Sequence, residues 1–320
     1  MRLNIPILDQ LADSQHILIA GAGGGFDVFS GLPLYFTLRE MGKDVHLANY
    51  SFTTLELIKM VAEPFTLAEG LVHAPRGEIK YELIYYPEGY LVQWFKEVRG
   101  EDVTVWMMAR TGAAWLAEGY AALVKHLNID AIILVDGGVD SIMRGDEVGC
   151  GTLVEDSITL AAVEPLDVPV KILACIGFGT EVEEAVCHYT ALENIAALAK
   201  AGGFFGTCSL TPQMEAFQLF EAACRYVWEQ PKHAKSHIST RIIPAARGEF
   251  GSYKMYPDEY SGVFISPLMS MYWFFDARMV IEHSLLIPRI RDTMTTTEAI
   301  VICANLMGGM KLRGRKPIPY

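Results

Sequence analysis

Short apolar runs of β-forming residues recur along this chain, and each gives way to a segment with helical spacing. "HILIAGA" (16–22), "DVHLANY" (44–50), "VTVWMMA" (103–109), "AIILVDGG" (131–138) and "VKILACIG" (170–177) read as strands. The last two are almost continuously apolar, the pattern of strands covered on both faces of a parallel sheet. Helical patterns lie between and after them: "FSGLPLYFTLREMG", ending at Gly42, "AAWLAEGYAALVKHLN", "EEAVCHYTALENIAALAKAG" and "PQMEAFQLFEAACRYVWEQ". A further strand falls near "GGFFGTCSL". Such alternation predicts an α/β fold, a Rossmann-like three-layer sandwich with a mainly parallel central sheet and right-handed crossovers.

The 320 residues are enough for one large domain or two ordinary ones. No stretch has linker composition and no internal repeat is visible, so residues 1–320 are expected to form one Rossmann-like domain. Two regions are less regular. In "YELIYYPEGYLVQWFKEVRG" (81–100) a strand and then a helix are expected. From about residue 232 a separate C-terminal substructure is conceivable, with a helical "KSHISTRIIPAARGEF" interrupted by Pro244.

Composition narrows the function classes. A net charge of -12 argues against a nucleic-acid binder. Apolar residues make up 51% and charged residues 20%, a surplus that suits a deep core, a subunit interface or both, and a homo-oligomer is expected. The first fifteen residues have neither the apolar core nor the cleavage site of a signal peptide. "GVFISPLMSMYWFF" is too short and too interrupted to span a bilayer, so no membrane partner is expected. The six cysteines are scattered without a C-x-x-C pair, which predicts buried, reduced thiols in a cytoplasmic protein.

Two loops carry candidate chemistry. "GAGGGFDVFSG" (21–31) follows the first strand and opens a helix. Backbone N–H groups at Gly21, Gly23, Gly24 and Gly25 are suited to cradling a phosphate or carboxylate. The loop is not a dinucleotide fingerprint, because the third glycine position holds Phe26, and the second strand ends in "LANYS" without a ribose-binding acid. It lacks the Lys-Ser/Thr of a phosphate-binding P-loop. A tight strand-to-helix turn is the alternative. Asp27 reads either as a helix-start acid or as a ligand to a metal or hydroxyl.

The second loop, "VDGGVDSIMRGDEVGCGTLVED" (135–156), begins at the end of the fourth strand. In open α/β sheets this edge is where ligands bind. Asp136 and Asp140 are expected to bind either Mg²⁺, the cation that clustered carboxylates favour, or sugar or ribose hydroxyls without metal. Arg144 is assigned to clamp the anion. Gly137 and Gly138 give the loop its close approach, and Asp146 and Glu147 are weaker candidates for the same site. Glu155 and Asp156 read as helix-start acids. After the next strand, "GFGTEVEE" offers Gly177 for the pocket floor and Glu181 as a further carboxylate, with a helix cap as the equal alternative. Thr211-Pro212 reads as a helix start and Cys208 as a buried thiol. Arg247 and Glu249 are possible additions from the second half, and Glu184 with His188 reads as one helix face.

With "AGAGGGFDV" and the longer, more specific "VDGGVDSIMRGDEVGCGTLVED", the sequence resembles the domain-of-unknown-function family 1152 over most of its length. The resemblance implies a Rossmann-like fold and one site built from both motifs. It implies no reaction. The reading of the residues is metal-assisted hydrolysis or group transfer on a phosphorylated or nucleotide-like small molecule, with Asp136, Asp140 and Arg144 as the catalytic group. A nucleotide-binding sensor or assembly subunit is the main alternative, and a nicotinamide-dependent oxidoreductase a weaker one.

Overall fold

A computed structural model of the chain describes residues 6–76, 79, 84–181, 183, 185–230, 235–257, 259 and 263–318. Nine strands among these residues form one sheet: β1 (His16–Gly21), β2 (Asp44–Tyr50), β3 (Phe65–Ala68), β4 (Val72–Ala74), β5 (Val105–Met108), β6 (Ala131–Asp136), β7 (Val170–Ile176), β8 (Phe204–Ser209) and β9 (Met271–Asp276). Their order is β3-β4-β5-β2-β1-β6-β7-β9-β8. The five strands read from the apolar runs, β5-β2-β1-β6-β7, are parallel neighbours, as expected.

Both margins are antiparallel. A β3–β4 hairpin extends the β5 side. On the other side β9 inserts between β7 and β8 and runs against both. The apolar "MYWFF" stretch, too short for a membrane span, is this strand. Chain beyond residue 232 therefore contributes to the same sheet. No helix among the described residues is long and apolar enough to cross a membrane.

Side-chain alternation along the strands divides the core into two layers. Leu18, Ala20, Ile132, Leu134 and Leu173 pack beneath the helices Ala113–Leu127, Leu153–Val163 and His188–Ala201. Ile17, Ile19, Ile133, Val135 and Ile172 face the helices Leu32–Glu40, Pro87–Trp94 and Glu215–Trp228. The β6 residues Ile132 to Val135 have no exposure at all, and burying each such side chain contributes on the order of 1.5–3 kcal/mol. The result is a Rossmann-like sandwich.

Other expectations resolve locally. The helix expected after Tyr86 forms as Pro87–Trp94 and runs on into a wider turn, Phe95–Arg99. Residues 81–83 of the strand expected before it, and Glu184, lie outside the described residues. Pro244 sits inside the helix Ser239–Ala246. All six cysteines are unpaired, and only Cys208 is part-exposed.

The chain lays β2 and then β5 on one side of β1 and returns to lay β6 and β7 on the other. The carboxyl ends of β1 and β6 thus stand side by side where the strand order reverses, with Gly21 paired to Val135. Gly21 also has Asn49 of β2 as its partner, and a methyl group there would stand 2.2 Å from Asn49 Oδ1 and 2.7 Å from the Val28 backbone nitrogen. Gly21→Ala should therefore destabilise the fold by about 1–3 kcal/mol, because backbone cannot yield cheaply. A urea midpoint indistinguishable from the parent's would show that the close packing at this crossover is not needed.

Candidate functional site

The glycine loop and the acidic loop meet at this reversal point. Ala22 N–H donates to Val135 O at 2.8 Å and continues the sheet pairing one residue past β1. The chain then turns through Gly24 and Gly25, at φ of 97° and 58°, a conformation that glycine adopts without strain. This turn delivers Asp27 back over the strand ends. Asp27 Oδ2 accepts from Gly23 N–H at 2.7 Å, and Oδ1 accepts from Gly137 N–H at 3.2 Å. One carboxylate thereby ties both loops together.

Four more carboxyl groups gather around it. Asp136 ends β6, and its Oδ2 accepts from Ser141 Oγ at 2.5 Å and Ser141 N–H at 3.2 Å. Asp140 Oδ2 accepts from Thr152 N–H at 2.6 Å and Thr152 Oγ1 at 3.0 Å, so it caps the helix Leu153–Val163 from outside. Glu181 Oε2 accepts from Val139 N–H at 2.6 Å. Asp156, on the first turns of the same helix, is only 2% exposed, and its Oδ1 is buried without a hydrogen bond among the described residues. Oxygens of Asp27, Asp136 and Asp156 all lie within 4.8 Å of one another. Gly23 and Gly137 leave the space open, since a methyl group on either would stand 2.8–3.0 Å from these carboxylates.

The cluster forms the floor of a cavity of about 330 Å³. Phe26, Phe52 and Tyr85 form an aromatic lip, with Phe52 and Tyr85 against Gly24 and Gly25. The segment Lys235 to Ile238 lines another part, and Ile238 packs over Gly137 and Gly177. Arg110 lies 5.1 Å over the Phe52 ring and pairs with Glu155 at 2.9 Å at the mouth.

Burial governs the protonation of these groups. It pushes the Asp27 pKa up to about 7, against the pull of its Gly23 and Gly137 hydrogen bonds. Asp136, Asp156 and Glu181 are pushed well above the carboxylate range, by burial first and by the neighbouring carboxylates second. Such a cluster holds either protons or a cation. An all-oxygen donor set of this size suits a hard divalent ion such as Mg²⁺.

A family model described as "Protein of unknown function (DUF1152)" matches residues 89–310. The chain belongs to this family. Neither the curated proteins nor the solved structures contain a match to it. The matched span carries Asp136, Asp140, Asp156 and Glu181, and starts after the glycine loop.

Of the residues singled out in the sequence of this DUF1152 member, Gly23, Gly24, Asp27, Asp136, Gly137, Asp140 and Glu181 line the cavity. Gly21, Gly25, Gly138 and Gly177 support it from behind, Gly138 against the Glu181 carboxylate. Arg144, Asp146 and Glu147 are held elsewhere. Fully buried Glu147 accepts from Arg144 N–H, Gly145 N–H and Asn194 Nδ2, and pairs with Arg313 at 2.5 Å. Arg313 also binds Asp146 at 2.8 Å, and the Arg144 guanidinium stays at 3.6 Å from Asp146. An arginine far along the chain draws this part of the loop into a structural ion cluster. Asp156, read as a helix-start acid, is instead the third member of the carboxylate trio. Among the described residues Lys235 and His237, and not Arg144, are the basic side chains that line the cavity. The sequence offers little to find them, since only the fold brings residue 235 to residue 27. Arg247 pairs with Glu221, away from the cavity lining, and His188 packs on Phe178.

The raised carboxylates set a pH dependence. Asp27 titrates near its ordinary value of 3.8 when unfolded and near 7 when folded. Between about pH 4 and pH 7 the folded state retains a proton that the unfolded state has released, so stability falls as pH rises. Asp136, Asp156 and Glu181 act in the same direction and carry the loss to higher pH. In chelator, the melting temperature should drop between about pH 5 and pH 8, and Asp156→Asn should flatten the drop and raise the value at the alkaline end. An equally steep decline in the variant would place its origin outside the cluster.

Proposed function

We propose that this protein binds a divalent cation through Asp27, Asp136 and Asp156 and uses it for metal-assisted hydrolysis or group transfer on a phosphorylated or nucleotide-like small molecule. The observation that supports this reading is the buried Oδ1 of Asp156, without a hydrogen bond among the described residues and set among carboxylate oxygens within 4.8 Å at the reversal point of the sheet. A buried polar atom without a partner costs about 1–3 kcal/mol, and a cation at the cluster removes that cost. Bound there, Mg²⁺ would supply Lewis-acid chemistry to a phosphoryl oxygen. The protein's own groups do the rest. Lys235 offsets anionic charge, His237 offers a polar ring edge, and Phe26, Phe52 and Tyr85 offer faces for a planar ring. Asp140 and Glu181 supply the general-base carboxylate for water or a substrate hydroxyl. A nicotinamide reading gains no support, because β2 ends at Asn49 and Tyr50 without the acid that would hold a ribose diol, and Asn49 Nδ2 donates to Gly25 O at 3.0 Å and Glu88 Oε1 at 2.8 Å.

The test is thermal stability against a panel of nucleotides and sugar phosphates, each with and without Mg²⁺, followed by phosphate release for any ligand that binds. A ligand at 100 times its Kd stabilises by about 2.7 kcal/mol. A shift that needs both Mg²⁺ and phosphate ester, and disappears in Asp136→Asn and Asp156→Asn, is the expected result. Binding without turnover would convert the reading to a sensor. No Mg²⁺-dependent shift with any phosphorylated compound would overturn it.

A further inference from the structure

The opposite edge of the sheet carries a second cluster with a different donor set. His16 opens β1 and Asp44 opens β2, and the two are direct partners in the parallel register. His46 lies two residues beyond Asp44 and so projects from the same face of β2. His16 Nδ1 stands 3.1 Å from Asp44 Oδ2, and His46 Nε2 stands 3.4 Å from the same oxygen. All three ligand atoms lie within 4.8 Å of one another.

We infer that His16, Asp44 and His46 form a transition-metal site, of the kind that takes Zn²⁺, which ties the starts of β1 and β2 together. Zinc bonds to imidazole nitrogen and carboxylate oxygen are about 2.0–2.2 Å, so donors on a tetrahedron around it stand roughly 3.3–3.5 Å apart. The two measured separations are close to that edge length. Hydrogen bonding accounts for only one of them. His16 Nδ1 is hydrogen-bonded to Asp44, but His46 Nε2 is buried and has no hydrogen bond among the described residues. An imidazole nitrogen that stands 3.4 Å from a carboxylate oxygen and within 4.8 Å of a second imidazole nitrogen, too far from the carboxylate for a good hydrogen bond, is placed as a ligand.

The corner is rigid and its charges are arranged for a cation. Asp130 accepts from Gln15 N–H at 2.8 Å and His16 N–H at 3.1 Å, which fixes the backbone at His16. The adjacent Lys43 turns its ammonium away, onto the carbonyls of Leu11, Ala12 and Ser14. His16 and Asp44 are 40% and 53% exposed, so the fourth position opens to solvent. Two imidazoles and one carboxylate favour zinc over magnesium, the reverse of the all-oxygen cluster. The two sites sit at opposite ends of β1, six residues or about 20 Å apart.

Calorimetric titration with zinc chloride after chelator treatment tests the site, using the full chain, Asp136→Asn, the double variant His16→Gln/His46→Gln, and Asp44→Asn. The Asp136→Asn background removes zinc bound at the acidic cluster from the comparison. That variant should still take one zinc per chain, and zinc should raise its melting temperature. Adding the double histidine change should weaken this binding about 100-fold or more, since even the outer partners of a metal ligand are worth 10–100-fold. Asp44→Asn, on a half-exposed residue, should weaken it in the same direction and guards against a folding defect in the double variant. Zinc affinity that is unchanged by these substitutions, or absent from Asp136→Asn, overturns the site and leaves the reading of the acidic cluster untouched.

Discussion

The bridge made by Asp27 is the contact on which the site depends. A single carboxylate accepts from Gly23 at the end of β1 and from Gly137 at the end of β6, and so fixes the spacing of two loops more than a hundred residues apart in sequence. That spacing brings Asp136 and Asp156 up to Asp27, and it creates an electrostatic problem. Like charges a few ångströms apart, out of water, cannot all stay ionised. The fold answers in part with local dipoles: Ser141 on Asp136, Thr152 on Asp140, Val139 on Glu181. Asp140 also stands at the amino end of an eleven-residue helix, where the helix dipole favours negative charge. Among the described residues Asp156 receives no such compensation on Oδ1. The remaining charge must be met by a proton or by a cation.

The topology explains why the problem arises here and not elsewhere along the sheet edge. Where neighbouring strands wind in one direction, their crossovers cover the carboxyl ends. Between β1 and β6 the winding reverses, so the loops diverge and leave a crevice. Glycines at 23 and 137 keep that crevice from being filled by side chains. The cavity is thus a product of strand order, and the carboxylates are its lining.

How much of this was legible in the sequence follows from the range of each interaction. The five parallel strands announce themselves through their own apolar runs, and the two loops through local glycines and acids. Asp136, Asp140 and Asp27 were therefore within reach. β9 was not, because its place between β7 and β8 is set by pairing with strands about 65 to 100 residues away in sequence. Asp156 has the sequence signature of a helix-start acid, and only the direction of its helix turns it into the cavity. The diversion of Asp146 and Glu147 from the cavity is decided by Arg313, which no local pattern connects to them, and Arg144 follows through its contacts with both. The sequence carried the chemistry of the loop but not which of its charges would be claimed by distant partners.

The charge inventory of the cavity constrains the order in which anything can bind. Among the described residues six carboxyl groups line it, those of Asp27, Asp136, Asp140, Glu155, Asp156 and Glu181, against the basic side chains Lys235 and His237, with Glu155 already paired to Arg110. A phosphate ester entering alone would meet a field of its own sign or would require every buried carboxyl to remain protonated. A divalent cation changes that sign locally. It favours the ionised carboxylates, and the ionised carboxylates plus cation favour the anion. Each ligand then raises the affinity of the other by the same factor, as linkage requires. The aromatic lip adds contact area without charge and so is indifferent to this order. Under the proposed function, a site built this way would be permissive about the organic part of its ligand and strict about the cation that accompanies it.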